Sequence, residues 1–336
     1  MSTSAPHCAV VGRGRLGTAL TAALSAGDPS TTATERTRAA VSAGDPSIPR
    51  MRTVRTIAAL REALLPARHS GRTIGLVPTM GSLHEGHLSL VAAARVACDV
   101  VVVSLFVNPR QFDDAADLAA YPRDEARDAG LAAGGGADLL FAPDAAELYP
   151  AGFATTVGVR GVAEPLEGAH RSAAHFDGVA TVLTKLLNAA GPDLAYFGAK
   201  DAQQVAVVRR LVADLAIPVR IETVPTAREP DGLALSSRNA GLAPDDRARA
   251  PALHAGLTAA QAAVDEGERE PAVVAAAGRA AMAGLDVEPE YLELVDPATF
   301  APVAALHGEV LAVVAATVGG VRLIDNRTLT LDGRSS

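Results

Sequence analysis

The sequence predicts an α/β protein: a doubly wound parallel-sheet domain followed by a smaller C-terminal α+β domain. Three observations carry this. Apolar runs alternate with helix-like stretches from Thr73 to Val224, one of those runs ends in a glycine- and histidine-bearing loop that opens a helix, and beyond Arg228 the alternation gives way to two alanine-rich helices and three strand-like runs. Alternating strand and helix points to a parallel sheet, and continuous hydrophobicity means that both faces of each strand are covered.

In chain order, TIGLV (Thr73–Val77) is β-branched and apolar enough for a buried strand, and LSLVAAARVA (Leu88–Ala97) has the composition of a helix. VVVVSLFV (Val100–Val107) is the next strand, followed by a helical stretch near 123–133 that the run Gly134–Gly136 should stop. ADLLFAP (Ala137–Pro143), a helix near 179–190, DLAYFG (Asp193–Gly198), a helix near 202–215 and VRIETV (Val219–Val224) complete the alternation. EYLELVD, EVLAVVAATV and VRLIDN are the strands of the second unit. The expected division is a doubly wound α/β domain over 51–227 and a smaller α+β domain over 228–330, with ligands at the carboxyl ends of the parallel strands.

The first fifty residues contain a second glycine signature. CAVVGRGRLGTALTAAL (Cys8–Leu24) sets Gly12, Gly14 and Gly17 as GxGxxG, and Glu35 and Arg36 fall where a ribose- or phosphate-binding residue of a dinucleotide fold is expected. The strands and helices of a working unit do not follow. The hexapeptide SAGDPS occurs twice, at Ser25–Ser30 and Ser42–Ser47, so residues 1–50 read as a truncated dinucleotide-binding-like extension, linker or vestigial, without redox activity.

Composition narrows the partners. A formal net charge of −8, aromatics at 3% and no tryptophan argue against nucleic acid. Two cysteines, Cys8 and Cys98, are too few for a disulfide scaffold or a cysteine-rich zinc site, and no apolar run reaches the roughly 18 residues of a membrane span. A cytoplasmic protein acting on small molecules is expected.

The most informative stretch is PTMGSLHEGH (Pro78–His87), between the first strand and its helix. A helix N-terminus offers unpaired N–H groups and the positive end of its dipole, and Gly81 and Gly86 let a polyanion approach the backbone. His84 and His87 add donors, which makes this a candidate phosphate site.

The HxGH element resembles that of the nucleotidyl-transferring Rossmann-like superfamily, and the longer string VPTMGSLHEGHLSLV is similar to the pantothenate synthetase family. Further blocks follow in that family's order: FVNPRQF (Phe106–Phe112), YPRD (Tyr121–Asp124), HFDGV (His175–Val179), FGAKDAQQ (Phe197–Gln204), REPDGLALSSRN (Arg228–Asn239) and RLIDN (Arg322–Asn326). The resemblance runs from about Met51 to Asn326. It implies a Rossmann-like ligase that joins pantoate to β-alanine with ATP and Mg²⁺, releases AMP and pyrophosphate through a pantoyl adenylate, and works as a homodimer.

It also implies site residues. His84, His87, Lys200 and Arg238 are the catalytic candidates, with Ser236 and Ser237 on the β- and γ-phosphates. Met80, Gly81, Gly86, Gly198, Asp201, Ala227 and Leu235 complete the nucleotide site. Pro78, Thr79, Met80, Asn108, Gln111 and Gln204 are assigned to pantoate, which is better held by neutral amides than by a charge that would blunt its nucleophilicity. Asp201 is the candidate metal contact, with Asp124 and Asp128 as runners-up. The stretch GAHRSAAHF departs from the family pattern by one apparent extra residue and a missing proline, so Arg171 and His175 are expected to be displaced, with consequences for loop closure. A simple nucleotidyltransferase and a non-catalytic nucleotide sensor are the competing readings.

Overall fold

The chain is described by a computed structural model that covers residues 51–112 and 114–331; the GxGxxG segment and the SAGDPS repeats lie outside them. Six strands, β1 (Arg52–Val54), β2 (Ile74–Thr79), β3 (Val100–Leu105), β4 (Leu139–Phe141), β5 (Leu194–Gly198) and β6 (Arg220–Val224), form one sheet in the order β1-β4-β3-β2-β5-β6. All its pairings are parallel. The predicted doubly wound sheet is therefore present, with one strand more than the runs indicated: β1, three residues long with only Val54 buried, carries too little pattern to be read.

Both faces are covered, which is why the strands are continuously apolar. Ile74, Leu76 and Val102 share a core with helices α1 (Ile57–His69), α7 (Ala173–Ala190) and α8 (Ala202–Asp214). Val77, Val101 and Val103 face the other way, onto α2 (Glu85–Ala97) and α4 (Glu125–Gly134). Three short helices, α3 (Ala115–Ala120), α5 (Ala145–Leu148) and α6 (Glu167–His170), sit in the connections. Helix α7 starts six residues before the expected Val179, so that Gly178 lies inside it. Its C-terminus ends as glycine placement predicts, on Gly191 in the left-handed conformation with φ 48°.

The strand order reverses between β2 and β5. From β2 the chain winds through β3 to β4, then returns to place β5 on the other side of β2 and β6 beyond it. The carboxyl ends of neighbouring strands diverge there into loops on opposite faces, leaving a crevice. The PTMGSLHEGH loop leaves β2, and the GAKD turn leaves β5.

The C-terminal part has α9 (Pro244–Arg249), α10 (Ala252–Asp265), α11 (Pro271–Ala283) and an antiparallel sheet β7 (Tyr291–Val295), β8 (Val310–Val318) and β9 (Val321–Leu329). Val310, Ala312 and Val314 of β8 pack on α10 and α11. Leu311 and Val313, of opposite parity, join the core of the parallel sheet instead, together with Phe300. Being buried on both faces accounts for the uninterrupted apolar run in β8.

A buried ionic cluster ties these layers together. Glu167 of α6 is 7% exposed; its Oε1 accepts from Arg322 Nη2 at 2.7 Å and from Tyr291 Oη at 2.8 Å, and its Oε2 accepts from Arg322 Nη1 at 2.8 Å. Burial opposes ionisation, but the Arg322 guanidinium and the Tyr291 hydroxyl outweigh it and hold the carboxyl at about 2, below its ordinary 4.5. Because the folded value is depressed, the stabilisation is complete above about pH 4.5 and is lost as pH falls toward 2. Glu167→Gln is expected to cost about 3 kcal/mol at pH 7, the scale of a buried pair broken on one side. Urea denaturation of both proteins should show the gap closing between pH 4.5 and 2; an unchanged gap across that range would exclude this ionisation as its source.

Candidate active site at the switch point

A cleft of about 900 Å³ opens at the strand ends, and apart from Gly81 every residue assigned to the nucleotide or pantoate from the sequence lines it. From β2 and its loop come Pro78, Thr79, Met80, His84, Gly86 and His87; from the turn after β3, Asn108 and Gln111. The β5 end and α8 contribute Gly198, Lys200, Asp201 and Gln204. The far side is Ala227, Leu235, Ser236, Ser237 and Arg238. Gly81 is instead buried behind the wall with φ +90°, where a Cβ would meet Leu105 at 2.9 Å and Asp128 Oδ2 at 3.0 Å. Its role is the turn itself, a conformation that glycine reaches without strain.

The two imidazoles are organised by the helix they precede. His84 is the N-cap of α2, its Nδ1 accepting from the Gly86 amide at 3.1 Å, while His87 Nδ1 accepts from the His84 amide at 3.3 Å. This is a capping box made of histidines. A ring nitrogen that accepts carries no proton, so the N–H of each neutral ring is on Nε2. The ring centroids are 4.1 Å apart. Gly86 is needed for this packing, since a Cβ there would lie 2.8 Å from His84 Cε1. Burial, then the neighbouring His84, lowers His87 to about 3, and burial, then Lys200, lowers His84 as well. At neutral pH the pair offers two uncharged N–H donors.

Asp128, a runner-up for metal binding, is committed elsewhere. It is 1% exposed; Oδ2 accepts from Ser82 N at 2.7 Å and Oδ1 from Leu83 N at 2.9 Å, which clamps the loop before His84. Asp124 is also engaged, as the N-cap of α4. Both acids serve backbone amides, which the sequence could not show because their partners lie some forty residues away or in the local cap.

Lys200 and Asp201 lie in a short 3₁₀ turn (Ala199–Asp201), their side chains 3.4 Å apart and 14% and 49% exposed. Although Asp201 is half-exposed, the surrounding wall takes part of its hydration and works against ionisation, but Lys200 and then Arg238 outweigh this and keep its carboxyl below the ordinary value. Arg238 has no salt-bridge partner among the described residues, so its charge is available to the cleft. Ser236 caps the 3₁₀ helix Ser237–Gly241, accepting from Arg238 N at 3.2 Å.

On the opposite wall, Asn108 is 1% exposed and fully used. Its Nδ2 donates to Gln111 Oε1 and to Gly178 O, both at 3.0 Å, and its Oδ1 accepts from Tyr149 Oη at 2.7 Å. Asn108 thereby orients the Gln111 amide, whose NH₂ remains as a donor. Gln203, beside Gln204, is structural: it binds Val162 O, Pro165 O and Glu167 N. Arg171 and His175, expected to be displaced, both line the cleft, and His175 Nδ1 is 2.8 Å from Gln111 O. Sequence reading assigned no role to Tyr121, Glu167, Tyr291, Arg322 or Asn326, which also line the cleft; membership of the YPRD and RLIDN blocks was the available signal for three of them.

A doubly wound sheet whose switch point opens on paired imidazoles, a lysine and an arginine is the architecture of an α/β enzyme with a cleft rich in positive and hydrogen-bond-donating groups. A model of the family described as pantoate-beta-alanine ligase matches residues 52–328. The chain belongs to that family. Pantothenate synthetase of Cereibacter sphaeroides is 56% identical over 253 residues, covering 75% of this chain and 90% of the relative, and that of Moorella thermoacetica is 51% identical over 260 residues, covering 77% and 92%. The crystal structure of the Thermus thermophilus enzyme superposes with a TM-score of 0.78 at 46% identity, covering 82% of this chain and 99% of that one. The pantoate-beta-alanine ligase of Francisella tularensis, solved with beta-gamma ATP and beta-alanine, gives 0.67 at 32% identity, covering 83% and 97%. Among the described residues no helix is long and apolar enough to cross a membrane.

Proposed function

We propose that the protein condenses pantoate with β-alanine at the expense of ATP, yielding pantothenate, AMP and pyrophosphate by way of a pantoyl adenylate. The observation that carries this is a single cleft lined both by cationic and imidazole donors and by the amides of Gln111 and Gln204. A pantoate carboxylate oxygen attacks the α-phosphorus and the bond to the pyrophosphate oxygen breaks. The β-alanine amine then attacks the acyl carbon, AMP leaves and the amine loses a proton.

In the first step negative charge grows on the phosphate oxygens. His84 and His87 stabilise it with neutral Nε2–H donors that need no reorganisation, while Lys200 and Arg238 supply the positive charge. Ser236 and Ser237 take the outer phosphates, with Met80 and Leu235 against the nucleoside. Gln111 and Gln204 hold pantoate by uncharged amides over the floor of Pro78, Thr79 and Met80. Residues 228–330 act as a lid over the 51–227 domain, which limits hydrolysis of the reactive anhydride.

Mg²⁺ would accompany ATP, with Asp201 the residue placed to hold it. No three acidic, histidine or cysteine groups converge as a metal site among the described residues, and of the carboxylates lining the cleft Asp201 is the one beside Lys200. A single carboxylate with phosphate and water ligands suits a hard cation that dehydrates reluctantly. The ion would supply charge neutralisation there.

Purified protein is expected to exchange labelled pyrophosphate into ATP when pantoate is present without β-alanine, and to release AMP only when both are present. AMP release without any pantoate-dependent exchange would sink the adenylate; no AMP from folded protein would sink the ligase reading.

A further inference from the structure

The RLIDN strand is among the blocks the proposed chemistry leaves unused, yet its side chains reach into the cleft walls. Asn326 lies on β9, paired with Val313 of β8 in a nine-residue ladder, so its position is set by a rigid element. Its Nδ2 donates to Ala199 O at 2.9 Å and to Lys200 O at 2.7 Å. Two carbonyls can only be met by an NH₂ group, which fixes the amide orientation. The acceptors belong to the 3₁₀ turn that carries Lys200.

We propose that Asn326 is a positioning residue for Lys200. It anchors the turn after β5 to the C-terminal sheet and so sets where the ammonium group stands in the cleft. The strand is well suited to this, because the preceding residue, Asp325, holds Arg228 at the start of the REPDGLALSSRN loop through contacts of 2.6 and 2.9 Å. Adjacent residues of one strand thus tether both cation-bearing segments, Lys200 and the loop ending in Arg238, to a common frame. The electrostatic gain from a lysine on a phosphate depends on its place being held before the ligand arrives. A four-carbon side chain gains little from a turn that wanders.

This inference rests on Lys200 bearing phosphate charge, and a double-mutant cycle separates the two claims. Affinity for a β,γ-nonhydrolysable ATP analogue and for pantoate is measured by calorimetry on the full chain, for Asn326→Leu and Asn326→Ala, in the Lys200 and Lys200→Ala backgrounds. The loss of two hydrogen bonds should weaken the analogue about tenfold with Lys200 present, and less than about twofold once Lys200 is gone, since residues in one unit are not additive. Pantoate affinity should stay within about twofold. Equal losses in both backgrounds, or equal weakening of pantoate, would overturn the positioning role while leaving the reading of Lys200 intact. Lys200→Ala binding the analogue like the wild type would overturn both. The leucine variant refills the volume that alanine leaves; a loss of folding by both variants would also overturn the inference, which assigns Asn326 a local task.

Discussion

His87→Ala is expected to lower kcat by about 100- to 1,000-fold, the range for deleting a preorganised donor aimed at developing charge. ATP affinity should fall far less. The loss is a transition-state effect because the ring is neutral: burial and His84 hold it at about 3, so it contributes an N–H rather than a permanent charge that would bind the ground state equally well. Removing the ring also removes the acceptor for the His84 amide, a capping interaction worth about 1 kcal/mol. That is small beside the roughly 3–4 kcal/mol implied by the rate, so a modest drop in the urea midpoint should accompany a large loss of turnover. The same ionisation gives a pH signature. The folded value lies well below the ordinary 6.5, so kcat/KM should show no fall attributable to His87 as pH drops from 8 to 5; a limb near 6.5 that disappears in the variant would contradict the neutral-donor role.

The second large effect is expected from a methyl group. Gly178 lies in α7 where the helix meets the 3₁₀ turn Pro109–Gln111, and a Cβ there would stand 2.1 Å from Arg110 O and 2.8 Å from Gln111 N. These are backbone atoms that cannot rotate away. Alanine in a helix interior gains about 1 kcal/mol over glycine, but overpacking costs typically about 1–3 kcal/mol and occasionally more, and this overlap belongs at the upper end. Gly178→Ala should therefore lose about 2 kcal/mol net and, by pushing the turn away, break the Asn108–Gly178 bond that keeps Gln111 oriented. KM for pantoate should rise at least about tenfold, with KM for ATP much less affected. Gly130→Ala in α4 is the control. Nothing lies within 4 Å of its added Cβ, so it should gain up to about 1 kcal/mol. Denaturation midpoints that move the same way in both variants would refute the steric account.

Much of the fold was readable because the hydrophobic pattern records how many faces of a strand are covered. The runs at Val100–Val107 and EVLAVVAATV are continuous since both faces of each strand are packed. β1 was missed for the same reason in reverse, having one buried residue in three. Helix α7 starts earlier than the expected Val179, and Gly178 inside it answers a close approach of another backbone, which local sequence does not display. The candidate pocket was legible as a set of residue types, but their division of labour was not. Asn108, Asp128 and Gln203 look no different from ligand-binding side chains until their partners are known, and those partners are distant backbone groups.

Residue order alone determined the α/β class and the position of the histidine loop between a strand and a helix, since each depends on local composition and spacing; the candidate site residues came from the family resemblance. Tertiary structure decided which side chains face the cleft and which hold it in shape. It also decided that the loop after β2 and the turn after β5, more than a hundred residues apart, share one crevice. The physical reason is that strand order, and with it the switch point, is set by how whole layers pack, and no single segment carries that information.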